Sequence, residues 1–377
     1  MSRRLYMMQL SVTKRVLTAM WAALAVIPAM VFSQGVTPST NYGVVEVAST
    51  VPPNGDLNPY GVAIVPRTMG KLVSGNILVS NFNNSANLQG TGTTIMNIAP
   101  DGSTSVFAQI DPSTLPDQCP GGVGLTAALV VLRTGWVIVG SLPTANGMAA
   151  TAQAGCLLVL NNEGTVAETI TNVMINGPWD MTALDGDLTA TLFVTNVLNG
   201  TVAGNGSIVQ GGTVVRIRTT QTDTTMPSIT DMLVIGSGFA ERTDPAALVI
   251  GPTGVALAPG GSLYVADTLN NRIVSIADAV NRTTDAHNGQ TFSLVPTLNT
   301  PLGVMVRPNH SELMVANGGN GLLIGLNEDG TQKSAGFISG SGSPPGAGTL
   351  FGLAASSSGL YFVNDGTNTL NLLSNPL

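Results

Sequence analysis

The chain has 377 residues, of which 44% are hydrophobic and only 9% charged, with 45 glycines and 22 prolines. That balance excludes a disordered protein, and the apolar residues fall in short runs bounded by Gly, Pro, Asn and Asp, the pattern of an all-β chain. Lys and Arg number 14 against 21 Asp and Glu, and no basic cluster follows the first fifteen residues, so nucleic acid is not an expected partner.

Residues 1–33 stand apart from the rest. Arg3, Arg4, Lys14 and Arg15 precede an uncharged apolar run from Val16 to Phe32, and Val31-Phe32-Ser33 offers a cleavage site before Gln34, so the segment reads as a secretory signal peptide. Pro28 and the shortness of the run argue against an uncleaved anchor, and no stable membrane span is expected after cleavage. Ser2-Arg3-Arg4 resembles a twin-arginine signal, but Lys14-Arg15 directly against the apolar run favours general secretory export. The expectation is a secreted or periplasmic protein whose residues 34–377 form one domain. Its net charge would be near −11, because the leader removes four basic residues and no acidic ones. In an exported chain the only two cysteines, Cys119 and Cys156, read as a disulfide.

Beyond the leader, Tyr42 to Ala48 alternates like a strand but has no neighbour in sequence to pair with. Six similar units follow, each with three or four short strands. They open at Pro59-Tyr60-Gly61-Val62, Pro120-Gly121-Gly122-Val123, Pro178-Trp179-Asp180-Met181, Pro252-Thr253-Gly254-Val255, Pro301-Leu302-Gly303-Val304 and Leu350-Phe351-Gly352-Leu353. Each has a second strand ending in a short polar residue, giving the series Asn81, Ser141, Asn196, Asp267, Asn317 and Asp365, whose regularity points to a repeated structural role. The longest spacing, between openings 178 and 252, gives the third unit the largest insertion. The sixth unit ends one strand short, and pairing Tyr42 to Ala48 onto it would close a ring.

The fourth unit, with Pro252 to Val255, Leu263-Tyr264-Val265-Ala266-Asp267 and Asn270-Asn271-Arg272-Ile273, resembles the NHL repeat. The resemblance implies an all-β, six-bladed β-propeller of four-stranded antiparallel blades. It implies little about chemistry, since the fold carries enzymes, receptors and scaffolds.

Aligned at their openings, the blades place Tyr60, Gly121, Trp179, Thr253, Leu302 and Phe351 at one level. Such a partly aromatic ring could bind a ligand at the channel mouth or plug it. Asp180 stands where the other five openings have Gly. It is the candidate base or Ca²⁺ ligand, with turn capping as the competing role. Only His287 and His310 are available, which argues against a His-rich zinc site. The leading expectation is therefore a monomeric binding module that takes a protein or carbohydrate ligand through its loop face, with no cofactor. The alternatives are a Ca²⁺-dependent enzyme of the gluconolactonase or lyase kind, with its site at the channel mouth, and a structural part of a cell-envelope assembly.

Overall fold

A computed structural model of the chain describes residues 43–308, 312–340 and 342–374. The leader, Tyr42 and His310 lie outside the described residues. Among those described, no helix is long and apolar enough to cross a membrane.

The first strand, β1 (Val44–Ser49), does not begin a blade of its own. Blade 1 is β2 (Leu57–Ile64), β3 (Ile77–Asn83), β4 (Thr94–Ile98) and β5 (Thr104–Gln109). Blade 2 is β6 (Leu125–Val131), β7 (Val137–Ser141), β8 (Cys156–Leu160) and β9 (Val166–Ile170). Blade 3 has five strands, β10 (Pro178–Asp185), β11 (Thr189–Asn196), β12 (Val209–Thr220), β13 (Ser228–Asp244) and β14 (Leu248–Ile250). Blade 4 is β15 (Pro252–Leu257), β16 (Leu263–Asp267), β17 (Arg272–Ile276) and β18 (Gln290–Ser293). Blade 5 is β19 (Pro301–Val306), β20 (Leu313–Asn317), β21 (Leu322–Leu326) and β22 (Gln332–Phe337). Blade 6 supplies β23 (Leu350–Ser356), β24 (Gly359–Asn364) and β25 (Thr369–Leu373), and β1 completes it by pairing antiparallel with β25 from Val44↔Leu373 to Ser49↔Thr369. The ring is thus closed by a strand from each end of the described chain, which leaves no unpaired β25 edge. Thr50 N–H donates to the Asn368 carbonyl, and the Asn368 side chain accepts from Asn58 N–H at 2.7 Å, fastening the closed blade to blade 1.

The core is a set of separate apolar clusters, one between each pair of neighbouring blades, as expected where every repeat buries its face on the next. The blade 6–blade 1 cluster is continuous with a central group around Tyr60, Trp179 and Phe351.

Each inner strand breaks register with its partner just after its first residues, for example between Pro59 and Gly61, Pro178 and Met181, and Pro252 and Val255. In four blades a proline, which has no N–H to give the ladder, stands at this point, but the same break follows Leu125 and Leu350, so the bulge belongs to the repeat and not to proline alone. The glycines that follow are required by close approach. A Cβ on Gly254, Gly303 or Gly352 would run into the carbonyl oxygen of Leu302, Phe351 or Tyr60 on the next inner strand.

Two expected alignments shift. Blade 2 does not open at Pro120: residues 119–122 form a turn closed by Gly122 N–H on the Cys119 carbonyl, and β6 starts at Leu125, opposite Ser141. Thr126, with Ala127 beside it, therefore takes the level assigned to Gly121. In blade 6, Leu350 pairs with Asn364, so Asn364 and not Asp365 belongs to the strand-end series. All six members of the corrected series are buried. They hold turns and linkers, as where Asn81 Nδ2 donates to the Thr50 carbonyl, Asn317 Nδ2 to that of Thr297, and Asp267 takes Asn270 and Arg272.

Cys119 and Cys156 form a disulfide across one end of blade 2, with Cα atoms 5.4 Å apart. The bridge ties the long β5–β6 connection to the start of β8.

Candidate functional site

The inner strands β2, β6, β10, β15, β19 and β23 surround a central channel. At the end where they begin, side chains close it. Tyr60 stacks on Phe351 with ring centroids 4.1 Å apart and on Phe82 at 4.8 Å, and Trp179 lies 6.3 Å from both Tyr60 and Phe351. Leu302 packs in the same cluster, and Thr253 is held through its hydroxyl by Thr268 and the Pro301 carbonyl. The structure does bring these residues to one level, but it buries them. Tyr60, Trp179 and Phe351 are 3%, 5% and 4% exposed, so they form a floor across the channel and leave no open ring of aromatic faces.

The floor has a cover that the sequence did not reveal. The seventeen residues of β13 run on past the blade and fold back through β14, which places Leu248 and Val249 over the aromatic cluster. Trp179 Nε1 donates to the Val249 carbonyl at 3.3 Å. The excess spacing of the third unit was the only signal of this hairpin.

From the floor toward the other end the channel is a cavity of about 660 Å³. Its wall carries one aliphatic side chain from each inner strand at the first level, Val62, Leu129, Met181, Val255, Val304 and Leu353, and a second such row near the open end. Strand periodicity repeats the pattern every two residues. Arg133 and Asp185 stand at the open end, where Arg133 N–H donates to Asp185 Oδ2 at 2.6 Å.

Asp180 lines the cavity next to the floor. Its backbone N–H donates to Thr195 Oγ1, and that hydroxyl donates onward to the Thr253 carbonyl of the next blade. The hydroxyl thus engages the carbonyl that faces glycine in blades 4 to 6. The carboxylate then sits between the two inner strands, with Oδ1 accepting from Met181 N–H at 2.8 Å and Oδ2 from Val255 N–H at 3.1 Å. Burial pushes its pKa up to about 7 despite those two amides.

Two further carboxyls behave alike. Burial raises Asp365 to about 7 and Glu241 to about 8. In the unfolded chain all three would titrate near 4. Folding is therefore favoured in full below about pH 4, and the advantage is lost as pH rises through 7 to 8, when the folded state must ionise buried acids. The urea midpoint is expected to fall between pH 5 and pH 8.5. A midpoint flat or rising over that range would contradict the assignment.

The donor set does not suit Ca²⁺. Such an ion takes about six to eight oxygen ligands, whereas among the residues lining the cavity Asp180 is the one acidic side chain beside the floor, and each of its oxygens already accepts from a backbone amide. Among the described residues no three His, Cys, Asp or Glu side chains converge. His287 is exposed beside Asp285 in the blade 4 loop.

Residues 250–274 match the NHL repeat. No curated protein matches the chain. Similar solved structures include a gluconolactonase from Xanthomonas campestris, at 14% identity over 88% of this chain and 89% of that one with a TM-score of 0.56. A calcium-binding regucalcin from Agrobacterium tumefaciens shares 12% over 89% and 95%, TM-score 0.53. Virginiamycin B lyase from Staphylococcus aureus shares 14% over 89% and 100%, TM-score 0.50. At such identities the likeness is one of fold, and it agrees with the strand order described above. The chain is a six-bladed β-propeller that carries an NHL repeat in its fourth blade.

Proposed function

We propose that the protein is an exported binding module that holds a small molecule in its central channel without transforming it. The observation that carries this reading is the cavity itself: closed at the floor, about 660 Å³, walled by aliphatic side chains together with the polar backbone of the six inner strands, with a single carboxylate at the blind end. Concave pockets of a few hundred cubic ångströms with a small number of charged groups are the usual form of small-molecule sites. The basic-then-apolar leader supports export, as does a buried disulfide, which persists in oxidising compartments.

The test fills the channel. Ala183 lies in its wall, and Ala183→Phe should abolish the saturable rise in thermal midpoint that amphiphilic small molecules give the wild type, since a ligand stabilises only the state that binds it. If the shifts survive in the filled variant, the channel is not the site.

A second reading is a hydrolase or lyase, in which Asp180 acts as the base. Its pKa near neutrality suits that work, and the gluconolactonase and virginiamycin B lyase share the fold. Lactone hydrolysis by the wild type that disappears in Asp180→Asn would favour this reading over simple binding.

A further inference from the structure

We propose that the floor end of the propeller is a docking surface for another protein, which inserts an apolar side chain between the long loops of blades 1 to 3 and sets an acidic side chain on Arg242. The surface lies at the opposite end of the molecule from the channel's entrance and is independent of what the channel holds.

The connections between second and third strands all emerge at the floor end, because each second strand ends opposite the start of its inner strand. In blades 4, 5 and 6 they are four residues long (268–271, 318–321 and 365–368). In blades 1, 2 and 3 they run to ten, fourteen and twelve (84–93, 142–155 and 197–208). Insertions gathered on one face of a repeat array often mark its binding face.

These three loops and the hairpin of β13 and β14 wall a pocket of about 500 Å³. Hydrogen bonds between the walls fix its shape in advance. Thr144 N–H donates to the Gly90 carbonyl and the Thr144 hydroxyl to that of Gln89, tying the loops of blades 1 and 2, and Gln89 Nε2 donates to the Ala246 carbonyl of the hairpin. A preformed pocket does not have to be ordered when a partner arrives.

The core of a protein interface is depleted of charge and enriched in Met and Arg, and this surface has that composition. None of residues 84–93, 142–155 and 197–208 is charged. Each loop instead leaves one large apolar side chain outward at the pocket: Met148 in its wall, Leu88 against Gly147, and Ile208 just beyond Gly206. Met148 and Ile208 are more than half exposed and Leu88 over a third. Aliphatic chains grouped in this way mark a protein contact.

Arg242 supplies the polar anchor. It is the one cation among the residues lining the pocket. Its guanidinium makes a single hydrogen bond among the described residues, to Asp244 Oδ2 at 2.8 Å, and it is the more exposed of the pair, 33% against 15%. Asp244 is occupied on both oxygens, since Oδ1 accepts from Ala246 and Ala247 N–H. A guanidinium carries five N–H donors, so an incoming carboxylate finds free donors in a fork that matches it.

The experiment selects phage-displayed random peptides on the mature protein, then titrates the synthesised consensus peptide by calorimetry. The consensus is expected to pair a large apolar residue with Asp or Glu. Met148→Lys should weaken it at least tenfold, as should Arg242→Gln. Changing the peptide's own acid to the amide should weaken binding to the wild type and have no further effect on Arg242→Gln, the mark of a direct pair. If Arg242→Gln does not fold, the amide peptide on the wild type and Met148→Lys, at an exposed position, decide. A consensus without an acid, or binding that survives Met148→Lys, would overturn the inference. So would a library that enriches nothing, including the case in which an array of neutral glycans binds instead and makes the face a carbohydrate site.

Discussion

A chain shortened to begin at Val51 is expected to lose cooperative unfolding near the wild-type midpoint and to self-associate. Without β1 the edge of β25 is bare from Thr369 to Leu373, and unpaired strand edges recruit other strands. The apolar contacts of Val44 with the cluster between blades 5 and 6, and of Val47 and Ala48 with that between blades 6 and 1, go with it. At about 25 cal/mol per Å² of apolar surface, together with the lost cross-strand pairs, the cost is of the order of 3–6 kcal/mol. Light scattering and urea unfolding would measure both effects, and a peptide covering residues 43–50 should reverse them in trans. A monodisperse monomer with an unchanged midpoint would show that β1 does not close the ring.

Trp179→Ala should be the most costly single substitution at the channel. The ring is buried among Tyr60, Phe351 and the cover from blade 3, and its N–H holds that cover through Val249. Truncating a buried aromatic to Ala typically costs about 3–5 kcal/mol. The Val249 carbonyl would also lose its donor, so the hairpin of β13 and β14 should exchange its amide hydrogens faster than the rest of blade 3. Hydrogen exchange and chemical denaturation together check this. A loss below about 1 kcal/mol, outside the range for buried aromatics, would mean that the floor is not a packed element.

The legibility of the chain was uneven, and the reasons are physical. Where Pro-x-Gly opened a blade directly, as at Pro59, Pro252 and Pro301, the local signals and the long-range pairing coincide. In blade 2 the same signals, Pro120-Gly121-Gly122, belong to a turn preceding the strand, because the disulfide-anchored loop needs its own glycine at positive φ. In blade 6 two polar residues, Asn364 and Asp365, stand side by side, and only pairing with Leu350 distinguishes them. Asp180 was visible as a departure from the glycine pattern. That its carboxylate bridges to Val255 of the next blade was not, since this depends on Thr195 drawing the Thr253 carbonyl away. The aromatic level could be read as a level. Its burial could not, because the residues that cover it arrive from 70 positions away in sequence.

Strand parity in blade 6 has a practical consequence for handling the protein. β23 runs from the floor toward the channel's open end, and β24, β25 and β1 alternate from there, so Val44 and Leu373 lie together on the side where the cavity opens. A purification tag or surface linkage attached just ahead of Gly43 would therefore share the face that carries the entrance, at the outer rim of blade 6, and a bulky one could hinder a ligand on its way in. Immobilisation through the opposite side, for instance at the exposed Met148, leaves the entrance facing solvent.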